Sequence, residues 1–416
     1  MESYVIRGGH RLHGMVQIHG AKNSVLPILA ACICCSGVCE IYNCPNITDV
    51  DTSEAILRHL GCTVERVKDM LRVDASTVIR YDIPSSLMQD MRSSVLFLGA
   101  LLMRCGEADL VEPGGCALGQ RPIDLHLWAM EQLGAKCEMQ DNRIVCRVRK
   151  LRGQQLTFRC PSVGATENAI LAALGCEGET TIRNAAREPE IMDLVRFLRQ
   201  MGARITGEGT PEITVQGGRS LCGTSFTVMP DRIETATYLC AAAGCGGEVY
   251  LSGAQRKSLE SVLSALGRMG CSITEETGGL RLISNGQLHS PGYLETAPYP
   301  GFPTDAQAPV MATALRASGI TAFTETIFEN RFRHVPELQK LGADIQVDGQ
   351  RAVVQGVALL RGAEMKATDL RCGAALVIAA LQAQGESTIS GIQYINRGYE
   401  SLAPSLRRLG ADIRES

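Results

Sequence analysis

An α/β chain assembled from six copies of one unit is the fold class that this sequence predicts, and three observations predict it. Glycine follows a helix-like segment and precedes a strand-like one at Gly61, Gly134, Gly202, Gly270, Gly342 and Gly410, in the contexts HLGCTVE, QLGAKCE, QMGARIT, RMGCSIT, KLGADIQ and RLGADIR. The successive intervals of 73, 68, 68, 72 and 68 residues hardly vary. A second series keeps the same phase at Gly37, Gly106, Gly178, Gly247, Gly319 and Gly385, each ending a small-residue helix ahead of strands such as GVCEIYN, GETTIRN, GEVYLSG and GESTISG. Glycine accepts the left-handed backbone that stops a helix, so both series read as helix C-termini. Each unit holds two helices and several short strands. It is longer than solenoid repeats of roughly 20–50 residues and points to an internally duplicated α/β domain.

The bulk properties narrow the class further. A chain of 416 residues exceeds the size of a single core, and six units divide into two domains of three. The net charge is −3 and the basic residues are scattered, which argues against a nucleic-acid or membrane-binding surface while leaving small anionic ligands open. The N-terminus MESYVIRGGHRLHG lacks the apolar core of a signal peptide and no apolar run reaches membrane-spanning length, so a cytoplasmic protein is expected. Seventeen cysteines spread over so long a chain read mostly as reduced, buried, small apolar residues. Cys32 and Cys35 have knuckle spacing, but no second Cys or His pair follows, and the histidines form no HxxxH or HExxH pattern, so no metal ligand set is expected.

Taken in order, the first helices of the six units open at AKNS (21–24), MRSS (91–94), PSVGAT (161–166), PDRIET (230–235), PTDAQA (303–308) and ATDLRCG (367–373). Each follows a strand-like segment and precedes an Ala/Leu-rich run. Helix N-termini gather unpaired N–H groups and the positive end of the dipole, which suits anions. These starts carry Lys22, Asn23, Arg92, Asp231, Asp305, Asp369 and Arg371. For Asp231 and Asp369, capping and ligand binding both stay open. Lys22, Arg92 and Arg371 oppose the dipole unless an anion lies between them and the helix. The second helices open after TDVDTSEA, GQRPIDLH, AAREPEIM, AQRKSLES, FENRFRHV and INRGYESL, adding Arg121, Arg331 and Arg397 to a possible cationic ring.

The run EPGGCALGQRPIDLH (112–126) breaks the pattern with Pro113, Gly114, Gly115, Cys116 and Gly119, and reads as a surface loop of the kind that covers sites. The other sixteen cysteines read as lying in regular elements. Cys116 is either incidental or a thiol made reactive by neighbouring arginines, able to donate a proton or act as a nucleophile.

GAKNSVLPILAA, PGGCALGQRPIDLH, PSVGATEN, NAAREPEI, PDRIET, FPTDAQA, TETIFENRF, ATDLR and INRGYE together resemble the UDP-N-acetylglucosamine 1-carboxyvinyltransferases, a branch of the enolpyruvyl transferases, over essentially the whole chain in order. The resemblance implies two inside-out α/β barrel-like domains, each of three βαβαββ repeats, with the active site in the cleft between them. One domain would be residues 21–228, carrying the loop 112–122, and the other residues 1–20 with 229–416. It implies transfer of the enolpyruvyl group of phosphoenolpyruvate to the 3′-hydroxyl of UDP-N-acetylglucosamine by addition and elimination, with no cofactor, by a cytoplasmic monomer that binds neither nucleic acid nor membrane.

By the same resemblance Cys116 donates a proton and can form an adduct with phosphoenolpyruvate, and Asp305 receives the proton of the sugar hydroxyl. Lys22, Arg121 and Arg397 would surround the phosphate, with Arg92 and Arg371 beside them. Asn23, the run Arg121, Pro122, Ile123, Asp124 and Leu125, then Ser162, Val163, Gly164 and Ile327, would hold the nucleotide sugar. Arg159-Cys160-Pro161 departs from relatives with a lysine near the uridine. The sister enzyme acting on shikimate 3-phosphate is the nearest rival, but its first helix opens with Gly-Ser-Lys-Ser and it lacks the cysteine loop. A silent UDP-sugar-binding relative is the other, and the full set of polar residues argues against it.

Overall fold

Residues 2–111 and 123–416 are described in a computed structural model, in which the chain divides into two units. One contains residues 20–111 and 123–229, the other 2–19 and 230–416. The first unit holds helices α1 (Lys22–Ala31), α2 (Thr48–Leu60), α3 (Ser85–Asp90), α4 (Phe97–Cys105), α5 (Asp124–Gln132), α6 (Val163–Ala173) and α7 (Pro189–Gln200). The second holds α8 (Arg232–Cys245), α9 (Glu260–Arg268), α10 (Thr304–Ala314), α11 (Val335–Gln339), α12 (Leu370–Gln382) and α13 (Leu402–Arg408).

The first helix of each repeat is an interior element because it has no polar face to turn to water. All of α8 from Arg232 to Gly244 is buried, and so is α12 from Arg371 to Gln382. In the second unit α8, α10 and α12 pack against one another, and in the first α4 packs against α1 and α6. Second helices such as α7 are amphipathic and bury one side, here through Ile191, Leu194, Val195, Phe197 and Leu198.

The sheets share one plan. Gln155–Thr157 runs parallel to Glu179–Arg183, which runs antiparallel to Glu212–Gln216, whose other neighbour is Arg204–Thr206. Along the chain this reads βαβαββ. Among the described residues five sheets have four strands each, in the same order. In the sixth, built from Glu107–Val111, Arg143–Arg147 and Lys136–Gln140, a single parallel bridge between Asp82 and Asp109 replaces the short first strand. Burial alternates along strands such as Arg351–Gln355, so one face of the sheet meets the helices and the other meets solvent. Helices inside and sheets outside is the arrangement that all-round apolar helices and alternating strands require.

Strand membership does not follow chain order. Leu12–Gln17 precedes α1 yet pairs parallel with Gly247–Ser252, the strand after α8. Ser225–Thr227 precedes α8 yet pairs parallel with Val38–Tyr42, the strand after α1. Ser3–Arg7 lies between Glu386–Ser390 and Asp412–Glu415 and completes their sheet. Among the described residues the chain therefore passes from one unit to the other twice, near residues 20 and 229. Ala21 N–H donates to the Met229 carbonyl in the first unit, and Asp231 N–H to the His19 carbonyl in the second, both at 2.8 Å.

The glycines after the second helices all adopt positive φ, between 89° at Gly342 and 106° at Gly61, as helix-stopping residues should. In the other series Gly106 caps α4, Gly178, Gly247, Gly319 and Gly385 have positive φ but stand beyond the helix ends, at or just before the next strand, and Gly37 alone lacks positive φ. There α1 runs on into a 3₁₀ turn, Cys32–Cys34, and glycine is needed because a Cβ would come within 3.0 Å of the Gly223 nitrogen.

The cysteine expectation needs two corrections. Fourteen described cysteines are free, and burial pushes thiols such as Cys240 up to about 12 and Cys176 up to about 11, consistent with inert packing groups. Cys137 and Cys146, however, form a disulfide. The Asp141-Asn142 turn, with both residues at positive φ, sets a register that places these two directly opposite each other, with Cα atoms 4.2 Å apart. Cys160 and Cys222 lie outside regular elements and are exposed, against the expectation that every cysteine but Cys116 lies in a regular element; Cys116 itself is outside the described residues.

Candidate active site

In the second unit the starts of α8, α10 and α12 bring charge together. Asp231 caps α8, its Oδ1 accepting from the N–H groups of Ile233 at 2.7 Å and Glu234 at 3.0 Å. Asp369 caps α12, accepting from Arg371 and Cys372 N–H at 3.0 Å each. The capping reading holds for both. Asp305 does something else. It lies in the first turn of α10, and its carboxylate is gripped by two arginines, Oδ1 by Arg331 at 2.8 Å and Oδ2 by Arg371 at 2.9 Å. The arginine side chains are 3% and 6% exposed, whereas Asp305 is 26% exposed. A carboxylate thus reaches outward from a buried cationic base. Burial by itself would lower the Arg371 pKa, but Asp305 above all, together with Asp231, outweighs burial and raises it.

Two neighbours hold this arrangement and carried no signal in the sequence. Glu325 is buried, and its carboxylate accepts from the N–H groups of Ile327 at 2.9 Å and Phe328 at 3.1 Å and from the Thr304 hydroxyl at 3.0 Å, tying the Ile327 segment to the start of α10. His334 is also buried, and its Nδ1 lies 3.1 Å from the Arg331 carbonyl. Its pKa is lowered to about 4, chiefly by burial and further by Arg331, against the opposing charge of Asp369. A neutral ring with Nδ1–H donating to that carbonyl fits both facts. Arg397 follows the 3₁₀ turn Ile392–Tyr394 and is half-buried.

In the first unit Lys22 opens α1, and its ammonium lies 2.7 Å from Asp49 in the first turn of α2. The anion expected to offset a lysine at a helix start is therefore supplied in part by the chain itself. Asn23 is half-buried, while Ser24 donates to Asp193 Oδ2 at 2.5 Å, a carboxylate that also accepts from Met229 N–H at 3.0 Å. Ser162 caps α6, its Oγ accepting from Ala165 N–H at 3.4 Å, with Val163 and Gly164 in the first turn. Ile123 is the N-cap position of α5, followed by Asp124 and Leu125. Asp124 pairs with Arg159.

Asn168 links these segments. Its amide N–H groups donate to the Val95 carbonyl at 3.0 Å and to His126 Nδ1 at 2.8 Å, and its Oδ1 accepts from Gly99 N–H at 2.7 Å. With Nδ1 accepting, the His126 proton belongs on Nε2. Gly164 permits the approach of α5, because a Cβ there would lie 3.0 Å from the His126 ring. Glu167 is buried on α6, its pKa raised well above the usual value by burial and then by Glu190 and Glu188. Cys116, Arg121 and Pro122, and the side chain of Arg92, lie outside the described residues. Among the described residues no cluster of three or more His, Cys, Asp or Glu side chains is arranged to hold a metal ion, and no helix is long and apolar enough to cross a membrane.

Residues 6–415 match the model of the family described as EPSP synthase (3-phosphoshikimate 1-carboxyvinyltransferase). The chain belongs to this family of enolpyruvyl transferases. Among relatives, it is 47% identical over 413 residues to UDP-N-acetylglucosamine 1-carboxyvinyltransferase 2 of Caldanaerobacter subterraneus subsp. tengcongensis, covering 99% of each chain. It is 47% identical over 422 residues to the UDP-N-acetylglucosamine 1-carboxyvinyltransferase of Zymomonas mobilis, again covering 99% of each. Its fold is similar to that of the enolpyruvyl transferase NikO from Streptomyces tendae, with a TM-score of 0.91 at 27% identity over 100% of this chain and 99% of that one. Enolpyruvyl transferase architecture thus accounts for the paired α/β units.

Proposed function

We propose that this chain transfers the enolpyruvyl group of phosphoenolpyruvate to the 3′-hydroxyl of UDP-N-acetylglucosamine and releases phosphate. The observation that carries the reading is full-length identity of 44–47% to relatives bearing that activity in their names. The geometry of Asp305 supports it, since the reaction needs a carboxylate that can take a proton beside cations that can bind an anionic donor.

In this reading the vinyl carbon of phosphoenolpyruvate is protonated by Cys116 and the sugar hydroxyl attacks the adjoining carbon as Asp305 receives its proton. The tetrahedral ketal then collapses, losing phosphate and a proton. Lys22, Arg121 and Arg397, with Arg92 and Arg371, offset the charge of the donor. Arg371 and Arg331 grip the Asp305 carboxylate and fix its direction. Asn23, Pro122, Ile123, Asp124, Leu125, Ser162, Val163, Gly164 and Ile327 take the nucleotide sugar, and the N–H groups of Val163 and Gly164 at the start of α6 suit an anionic oxygen. Residues 21–228 and 1–20 with 229–416 act as the two enolpyruvyl transferase domains. A cytoplasmic site of action, no cofactor and a monomeric state belong to the same reading. The product would feed peptidoglycan synthesis and so cell-wall biogenesis, cell shape and division.

The test is phosphate release from phosphoenolpyruvate with UDP-N-acetylglucosamine or shikimate 3-phosphate at equal enzyme concentration. Release with the UDP-sugar alone is expected. Release with shikimate 3-phosphate alone would replace the acceptor, and silence with both would indicate a protein that only binds.

A further inference from the structure

The orientation of Arg371 is determined behind the charged site, and donor bookkeeping shows how. Thr237, on the buried helix α8, donates its one hydroxyl proton to the Ile233 carbonyl at 2.9 Å. Its oxygen also lies 2.7 Å from the Tyr399 hydroxyl. We assign the Tyr399 O–H as the donor in that contact, because this leaves the threonine proton on the Ile233 carbonyl and uses both hydroxyl protons. The tyrosine proton then points away from Arg371, and an oxygen lone pair is left to face the guanidinium, whose Nη1 donates to it at 3.4 Å. The guanidinium carbon also sits 5.9 Å from the centre of the Tyr399 ring. Its other terminal nitrogen holds Asp305 Oδ2 at 2.9 Å. Thr237 and Tyr399 are each 2% exposed, so water does not compete for these contacts.

We infer that Thr237 and Tyr399 are positioning residues, a directional relay that aims Arg371 and through it Asp305. The inference rests on the proposed function for its kinetic meaning. It explains why a tyrosine follows Arg397 by two residues in the INRGYE segment. One end of that segment is pinned by Tyr399 N–H donating to the Ile395 carbonyl at 3.1 Å, and the tyrosine hydroxyl anchors it to α8. It also separates two arginines of similar burial. Arg331 is steadied by backbone, through Thr304 O at 3.1 Å and its own carbonyl on His334, whereas Arg371 depends on side chains.

Steady-state kinetics on the full chain tests this with Tyr399→Phe, Thr237→Val and Thr237→Ser. Tyr399→Phe removes the acceptor but keeps the ring, and kcat/KM for phosphoenolpyruvate should fall about 10- to 100-fold, the scale of a lost hydrogen bond to a charged group. KM for UDP-N-acetylglucosamine should stay within about twofold. Thr237→Val should show a smaller fall of the same kind, and Thr237→Ser, which keeps the hydroxyl, should recover wild-type values. A role in stability alone would lower the melting temperature and both substrates' parameters together, and serine would rescue only in proportion to stability. Wild-type kcat/KM for phosphoenolpyruvate in Tyr399→Phe, or a Thr237→Ser enzyme as impaired as Thr237→Val, would overturn the relay. A wild-type enzyme silent with the UDP-sugar would instead overturn the functional reading beneath it.

Discussion

Asp305 illustrates how much a single side chain depends on its partners. A carboxylate in the first turn of a helix is favoured by the dipole, and here it is also gripped by Arg331 and Arg371. Asp305→Ala should lower kcat by about 10²- to 10⁴-fold in the phosphate-release assay, the contribution of a positioned general base, with nucleotide binding largely kept. It should also destabilise the fold by about 1–3 kcal/mol, because two buried guanidinium groups lose their acceptor. Chemical denaturation would show that second effect, and an unchanged kcat would remove Asp305 from the chemistry. His334 makes a pH prediction at the same scale. Its folded-state pKa is about 4, below the ordinary 6.5, so between those values the unfolded chain binds a proton that the folded chain refuses. Stability should therefore fall as pH drops from about 6.5 to about 4, by on the order of 3 kcal/mol from this residue alone. His334→Gln should show a shallower decline in urea denaturation over that range, and an identical slope would mean that His334 already protonates in the fold.

Elements rather than residues explain why some features could be read early. In α1, α10 and α12 the charged residues stand only at the starts of otherwise largely apolar helices, so the positions of Lys22, Asp305 and Arg371 at helix N-termini follow from pattern alone. Glu325, His334 and Asn168 could not be found this way. A glutamate in a strand-to-loop segment and an asparagine inside a helix have ordinary surface explanations, and only packing shows them to be buried with their polar atoms engaged. The Cys137–Cys146 disulfide was missed for a related reason. Scattered cysteines look alike until a two-residue turn fixes which pair face each other across a hairpin. Reduction, or the double replacement Cys137→Ser with Cys146→Ser, should destabilise the first unit by about 2.5 kcal/mol if the loop-closure account applies. Thermal unfolding with and without a thiol reductant would measure it, and no shift would show that the pair adds nothing to stability.

At the scale of the molecule, the N-terminal segment belongs to a unit whose remainder begins more than two hundred residues later. Ser3–Arg7 and Leu12–Gln17 each complete a sheet there, and Tyr4, Ile6, Leu12, Val16 and Ile18 are at most 2% exposed. Burial of five such side chains is worth roughly 8–15 kcal/mol, comparable with the whole stability of a domain. A chain lacking residues 1–19 should therefore fail to fold its 230–416 unit and be cut there by dilute protease, whereas the full chain resists. Equal resistance would show that the sheets tolerate the missing strands.

The repeat, its helix stops and its polar helix starts were legible in the chain because each depends on local rules. Glycine ends helices, apolar residues on every side demand an interior, and alternation demands a half-buried sheet. Strand exchange between units, the two-arginine grip on Asp305, the buried carboxylates and the disulfide became visible only in the folded chain. Strand exchange and the grip on Asp305 pair residues far apart in sequence, which no local preference specifies. The disulfide, only nine residues apart, and the burial of the carboxylates depend on a hairpin register and a packing that exist only once the chain has folded.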